Sequence, residues 1–343
     1  MRWDNLTLSD ESAQDALFGV GDVITRTFDT PEFRGMTFYE VRARSILNKV
    51  PSGSRMPFEW TVNPYRGCSH ACRYCFARRT HEYLDLDSGS DFDSKIVVKV
   101  NAPELLHKQL TSSRWAGNSI AMGTNVDPYQ RVEGRYRLMP GILEALGDAR
   151  NPFSILTKGT LVLRDLDLLH EAAEVTDVAV NVSVGFVDET LWRQVEPGTP
   201  APRARLGVCR TLTDAGIGCG VLMAPILPYL TDSPSRLEAT VLAIAAAGAR
   251  SVFPIVLHLR PGAREWYLAW LERDHPELVT RYQDLYGSGA YAPKAYQHSI
   301  SARVAALASR YGLGPALPSQ TRHRPMRHTA IAQGGRSAVG SLG

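Results

Sequence analysis

From about residue 59 onward, short apolar, β-branched runs alternate with longer segments whose apolar residues recur at helical spacing. The runs Thr61–Tyr65, Lys95–Val100, Ser119–Gly123, Phe153–Thr157, Val178–Val184, Gly218–Met223 and Val252–Leu257 predict strands. Between them, Leu106 and Leu110 share one helical face, Val162, Leu166, Leu169 and Ala173 share a second, and Leu237, Val241 and Ile244 share a third. Pro103 and Pro140 suit first helical turns, while Asp177 and Gly216 or Gly218 punctuate strand starts. Strands alternating with helices predict an α/β fold, a parallel sheet with helices outside it. Six or seven repeats favour a barrel or partial barrel over an open doubly wound sheet.

The ends of the chain lack this pattern. Residues 1–58 read as an N-terminal extension, partly flexible, that wraps one end of the core. Residues 59–260 hold the repeats. Residues 261–317 read as a C-terminal helical extension, with the aromatic helix Glu265-Trp-Tyr-Leu-Ala-Trp270-Leu and a last helix carrying Ile300, Val304, Leu307 and Tyr311 on one face. Residues 318–343 contain Arg322, Arg324, Arg327 and Arg336 and no acid, which predicts a basic, disordered tail.

Composition narrows the class without naming a function. Hydrophobic residues at 44% and charged ones at 21% are ordinary for a globular protein, and a net charge of +3 is too small to argue for nucleic acid by itself. The start, Met1-Arg-Trp-Asp-Asn, does not read as a signal peptide, and the apolar run Val241–Ala249 is too short to span a bilayer. Five cysteines, three of them clustered, suit a reducing compartment, so a cytoplasmic location and no membrane partner are expected.

The clustered cysteines lie in Asn63-Pro-Tyr-Arg-Gly-Cys68-Ser-His-Ala-Cys72-Arg-Tyr-Cys75-Phe-Ala-Arg78. No other stretch is as dense in soft metal ligands. One disulfide plus a spare thiol is disfavoured by the spacing. A zinc site completed by His70 or His81 is the competing structural reading, and it would make the chain a binding module for nucleic acid or protein without catalysis. Three thiolates around an iron–sulfur cluster would leave one iron open, as a reactive centre requires. The run directly follows the first expected strand, where loops leave the C-terminal ends of barrel strands and sites form. Gly67 permits the turn into it.

Other strand ends carry polar groups. Thr124, Asn125 and Asp127 offer hydroxyl, amide and carboxylate groups to an amino-acid-like or ribose-bearing ligand, although Asn, Asp and Pro also build turns. Lys158 follows the fourth expected strand and can neutralise a carboxylate. Asn181 and Ser183 share one face of the fifth, opposite three valines. His258 and Arg260 either line a substrate site or cap the last strand; Cys209 reads as a core residue, and Cys219 lies in a strand and can face either way.

The order C-x3-C-x2-C, with Tyr74 before the last cysteine, resembles the signature of the radical S-adenosylmethionine (radical SAM) enzymes, and the string from Asn63 to Arg78 is similar to the branch containing spore photoproduct lyase. The resemblance covers roughly residues 59–260 and implies a partial (β/α)6 TIM-like barrel. It implies a [4Fe-4S] cluster on Cys68, Cys72 and Cys75 and S-adenosylmethionine chelated to the open iron. It further implies reductive cleavage to a 5′-deoxyadenosyl radical that abstracts hydrogen, and an electron donor such as flavodoxin or ferredoxin. At matching strand ends it gives Lys158 and Ser183 contacts to S-adenosylmethionine. The substrate is not fixed by the residues: nucleic acid is suggested by the resemblance, by Arg73, Arg78, Arg79, Arg131, Arg135 and Arg137 and by the basic tail, and a peptide, tRNA or small molecule stays open. The branch's hydrogen-donating cysteine near the third strand's end has no counterpart here, where Met122-Gly-Thr-Asn stands; this departure argues against photoproduct reversal.

Overall fold

The structure, a computed structural model, describes residues 6–7, 23–51, 53–54, 56 and 58–314. In chain order its strands are β1 (Leu6–Thr7), β2 (Ile24–Arg26), β3 (Thr37–Ala43), β4 (Leu47–Lys49), β5 (Trp60–Val62), β6 (Tyr65–Arg66), β7 (Lys95–Lys99), β8 (Ile120–Met122), β9 (Phe153–Thr157), β10 (Val178–Ser183), β11 (Cys219–Ile226) and β12 (Ser251–Val256). They form a mixed α/β fold with two sheets.

The larger sheet runs β12-β11-β10-β9-β8-β5-β4. Its neighbours from β5 through β12 are parallel, and β4 joins β5 antiparallel at one edge. The parallel strands follow chain order, the layout of a partial (β/α)6 barrel, so their C-terminal ends lie along one rim. Helices cover the sheet because their apolar residues recur at helical spacing. Ala102–Leu110 buries Leu106 and Leu110, and Pro234–Ala246 buries Leu237, Val241 and Ile244. Each such side chain contributes roughly 1.5–3 kcal/mol on full burial. The last helix, Lys294–Arg310, buries Ile300 and Val304 against Pro234–Ala246 and β12. Among the described residues no helix is long and apolar enough to cross a membrane.

The smaller sheet runs β1-β3-β7-β6, with β2 also on β3. It takes in one of the seven expected strands and leaves six parallel strands in the larger sheet, within the expected count. Residues 95–99 form a strand, but it lies parallel to β3 and antiparallel to β6, outside the larger sheet. Ile96, Val97 and Val98 are all buried, so the run reads as a central strand without revealing to which sheet it belongs. The residues that cover it include Phe38 and Val41 of β3, which is thus an interior strand supplied by the N-terminal extension.

The expected strand Thr61–Tyr65 is split between the two sheets. Pro64 has no N–H to continue a ladder, and its carbonyl instead accepts from Lys99 N at 3.0 Å. The expected helix through Val162 and Ala173 is also two pieces, a 3₁₀ segment at Thr160–Asp165 and an α-helix at Leu166–Val175. The change of pitch rotates the buried face, so Ala172 is buried and Ala173 is exposed. The basic tail from 318 lies outside the described residues.

Candidate functional site

β5, followed by the short β6, leads the chain into the cysteine run at the rim. Gly67 has φ +79°, and a Cβ there would come within 2.9 Å of the His81 ring, the Ile96 side chain and Lys95 O. Only glycine fits this turn. Cys68 N donates to Phe92 O at 2.9 Å, Ala71 N to Cys68 O at 3.2 Å and Cys75 N to Cys72 O at 3.3 Å. These tight turns wind the three cysteines along one short loop. All three are free thiols; Cys68 and Cys72 are buried and Cys75 is half-buried.

Arg78, fully buried, fixes the loop from inside. Its guanidinium donates to Cys72 O at 3.2 and 2.9 Å and to Gly89 O at 2.7 Å, and pairs with Asp93 at 2.8 Å. Trp266, on helix Ala263–Asp274, lies 4.9 Å from it. A second clamp comes from residues 195–199. Arg73 N donates to Val195 O at 2.9 Å, and Gly198 N to His70 O at 3.1 Å. A Cβ at Gly198 would overlap Ser69 O. Buried Glu196 accepts from Tyr74 Oη and pairs with buried Arg205, whose Nη1 donates to Ser183 O at 2.7 Å.

The next rim positions join this network. Asp127 Oδ1 accepts from Thr157 Oγ1 at 2.6 Å and Tyr129 N at 2.9 Å, while Oδ2 accepts from Lys158 N at 2.6 Å and lies 3.4 Å from His70 Nδ1. Both of its oxygens are thus engaged by protein. Lys158 Nζ donates to Ser183 Oγ at 2.8 Å and sits 5.8 Å from the Tyr74 ring. Ser183 Oγ in turn donates to Ala224 O at 3.1 Å. Thr124 Oγ1 is buried without a hydrogen-bond partner. Asn125 is exposed and lines a separate small cavity.

The electrostatics follow from burial. Burial pushes the Cys72 thiol up to about 12, with Glu196 adding to the rise and Lys158 and Arg205 opposing it. Burial also raises Cys68 and Cys75, and Asp127 and the neighbouring thiols raise Cys68 further. The loop therefore holds protonated thiols until a cation displaces the protons. Among the described residues no three of His, Cys, Asp and Glu converge closely enough to hold one metal ion. His70 and His81, the candidate fourth zinc ligands, each have a nitrogen facing other groups: His70 Nδ1 faces Asp127, and His81 Nε2 lies 2.8 Å from Lys95 O.

The remaining candidates fall elsewhere. Cys209 and Cys219 are buried against each other, and Cys219 opens β11 at the sheet end opposite the rim. His258 packs on Tyr291 at 4.6 Å. Arg260 lies 5.4 Å from the Phe76 ring and donates to Tyr291 Oη at 3.1 Å, so it covers the exit of the cysteine loop. A cleft of about 790 Å³ beside the loop is lined by His70, Tyr129, Arg131, Arg135, Gly159 and Trp192 among others, but by none of the three cysteines. Sequence reasoning missed Glu196, Arg205 and Gly198; single charges and a lone glycine in the turn between two helices carry no motif.

Comparison with known proteins places this geometry. The family model of the Radical SAM superfamily matches residues 62–238, from the end of β5 into helix Pro234–Ala246. Uncharacterized proteins of Mycobacterium bovis and Mycobacterium tuberculosis are 49% identical over 319 residues, covering 91% of this chain and 93% of theirs. An uncharacterized protein of Methanocaldococcus jannaschii is 30% identical over 56% of this chain and 69% of its own. Among solved structures, spore photoproduct lyase complexed with dinucleoside spore photoproduct matches with TM-score 0.61 and 16% identity, over 81% of this chain and 80% of that one. The match to the family model spans more than half of the chain and contains all three loop cysteines, so this chain is an enzyme of the radical SAM superfamily.

Proposed function

We propose that Cys68, Cys72 and Cys75 hold a [4Fe-4S] cluster whose fourth iron takes S-adenosylmethionine. The carrying observation is the position of three free thiols on one rim loop, with the Lys158–Ser183 pair beside them. A cubane takes one thiolate per iron, so its ligands need not converge on one point as a zinc ion's must. The unpartnered Thr124 Oγ1 supports a ligand at the same rim. When bound, the cluster supplies the electron that cleaves the sulfonium C–S bond to methionine and a 5′-deoxyadenosyl radical.

The chain's own residues bind and orient. Lys158 brings a positive charge that no carboxylate among the described residues pairs with directly, which suits the methionyl carboxylate of the cofactor. Ser183 holds the ammonium in place from the neighbouring strand, and Thr124 adds a hydroxyl. Asn125, although next to Thr124, lines the separate small cavity and is given no part in holding the cofactor. Asp127 acts one step back, locking Thr157, the Lys158 backbone and Tyr129 in register. Tyr74, fastened by Glu196, shields the loop from water.

For the electron we propose a flavodoxin- or ferredoxin-type donor. For the substrate we propose nucleic acid, on two supports: the spore photoproduct lyase likeness and the arginines Arg131 and Arg135 on the large cleft. Anaerobic reconstitution followed by assay of reductive S-adenosylmethionine cleavage tests the cluster and cofactor. A salt titration of oligonucleotide binding tests the substrate class, since phosphate contacts weaken steeply with salt; no binding at low salt contradicts it.

A further inference from the structure

A second cavity, of about 220 Å³, opens where the two sheets meet, and its wall includes Thr61, Asn63, Tyr65, Arg66, Lys99 and Asn125. Lys99, the last residue of β7, is only 6% exposed. Its Nζ donates to Asn63 O at 2.8 Å, and no carboxylate among the described residues pairs with it. Burial, helped by the charge of Arg66, lowers its amine to about 7. The Asn63 side chain is buried too: Nδ2 donates to Thr61 Oγ1 at 3.4 Å, and Oδ1 has no partner. Turning the amide over only exchanges which end is left open.

A buried cation without an acid costs several kcal/mol, and a buried orphaned amide atom adds to that cost. Both costs are relieved if a ligand fills the void. An oxyanion completes the Lys99 ammonium, and a neighbouring hydroxyl or N–H satisfies Asn63 Oδ1. The cavity is smaller than the roughly 300–1,000 Å³ of drug-sized sites, so it takes a small molecule or one group of a larger one. We propose that Lys99, Asn63, Arg66 and Asn125 form a binding site for a small oxyanion, a carboxylate or phosphate that carries a hydrogen-bond donor beside it. The site stands independently of what the cysteine loop holds, although Asn63 and Asn125 place it on the same rim.

The test is calorimetric titration of the full-length protein at low ionic strength with inorganic phosphate, acetate and a nucleoside 5′-monophosphate. Saturable binding of at least one probe is expected, weakened about tenfold or more in Lys99→Met, with the far-ultraviolet circular dichroism unchanged. Nucleotide tighter than phosphate identifies a group on a larger ligand; equal affinities identify a free anion; a preference for acetate identifies a carboxylate. Should Lys99→Met not fold, protection of Lys99 from acetylation by saturating probe, read by mass spectrometry, replaces it. Absence of binding by all three probes, equal binding in Lys99→Met, or unprotected acetylation overturns the proposal.

Discussion

Lys158 Nζ donates to Ser183 Oγ at 2.8 Å, bridging the C-terminal ends of two adjacent parallel strands next to the cysteine loop. The pair fixes a positive charge at the rim while leaving the ammonium two further hydrogens to donate. Lys158→Ala and Ser183→Ala are each expected to weaken S-adenosylmethionine binding, with iron content unchanged. A lost charge-assisted contact costs about 1.5–3 kcal/mol, roughly ten- to a hundredfold in affinity. Equilibrium binding to the reconstituted variants checks this; unchanged affinity in both removes the pair from the cofactor site.

The Glu196–Arg205 pair is buried on both sides. Glu196→Gln keeps an acceptor for Tyr74 but leaves the Arg205 charge uncompensated, so a loss of about 3–5 kcal/mol is expected. Denaturant unfolding of the purified variant measures it. A change below about 1 kcal/mol would show that water screens the pair.

Two glycines give opposite expectations. Gly198→Ala drives a methyl into Ser69 O and levers residues 195–199 off the cysteine loop. Destabilisation by about 1–3 kcal/mol is expected, together with lower iron uptake on reconstitution. Gly207, inside helix Pro202–Asp214, has nothing within 4 Å of a built Cβ. Gly207→Ala is therefore expected to stabilise by about 0.5–1 kcal/mol with iron uptake unchanged. Thermal unfolding and iron analysis of the two variants side by side check both.

Lys99 also sets a pH dependence. Burial, helped by the charge of Arg66, takes its amine from the usual 10.5 to about 7 in the folded chain. Between those values the unfolded chain holds a proton that the folded chain has released. Stability from this group therefore rises with pH across that window, by at most about 1.4 kcal/mol per pH unit, and its full burial cost applies below pH 7. In Lys99→Met this contribution to the slope is expected to vanish. Urea midpoints from pH 7 to 10 for both proteins measure it; parallel curves contradict the assignment.

Much of this was legible in the sequence. The cysteine spacing marked the loop, and alternating runs marked the parallel strands of the larger sheet but not its antiparallel edge, β4. Lys158 and Ser183 were identified by resemblance at strand ends, and the structure brings them together. Periodicity failed where it carries no partner information. The run Lys95–Val100 declares a buried strand but not its sheet, and Pro64 alone hinted that the chain changes sheets there. Glu196 and Arg205 could not be paired from sequence because only folding brings helix Pro202–Asp214 against the cysteine loop. Lys99 did leave a signal, a lysine closing the apolar run Ile96-Val97-Val98.

The most direct measurement is of metal, sulfide and chemistry together in protein reconstituted anaerobically with iron and sulfide. The expected result is about four irons and four sulfides per chain, 5′-deoxyadenosine and methionine formed from S-adenosylmethionine under reduction, and loss of both cluster absorption and cleavage in Cys68→Ala, Cys72→Ala and Cys75→Ala but not in Cys209→Ala or Cys219→Ala. Stoichiometric zinc without sulfide in anaerobic preparations, or a full cluster retained in Cys72→Ala, would contradict the account.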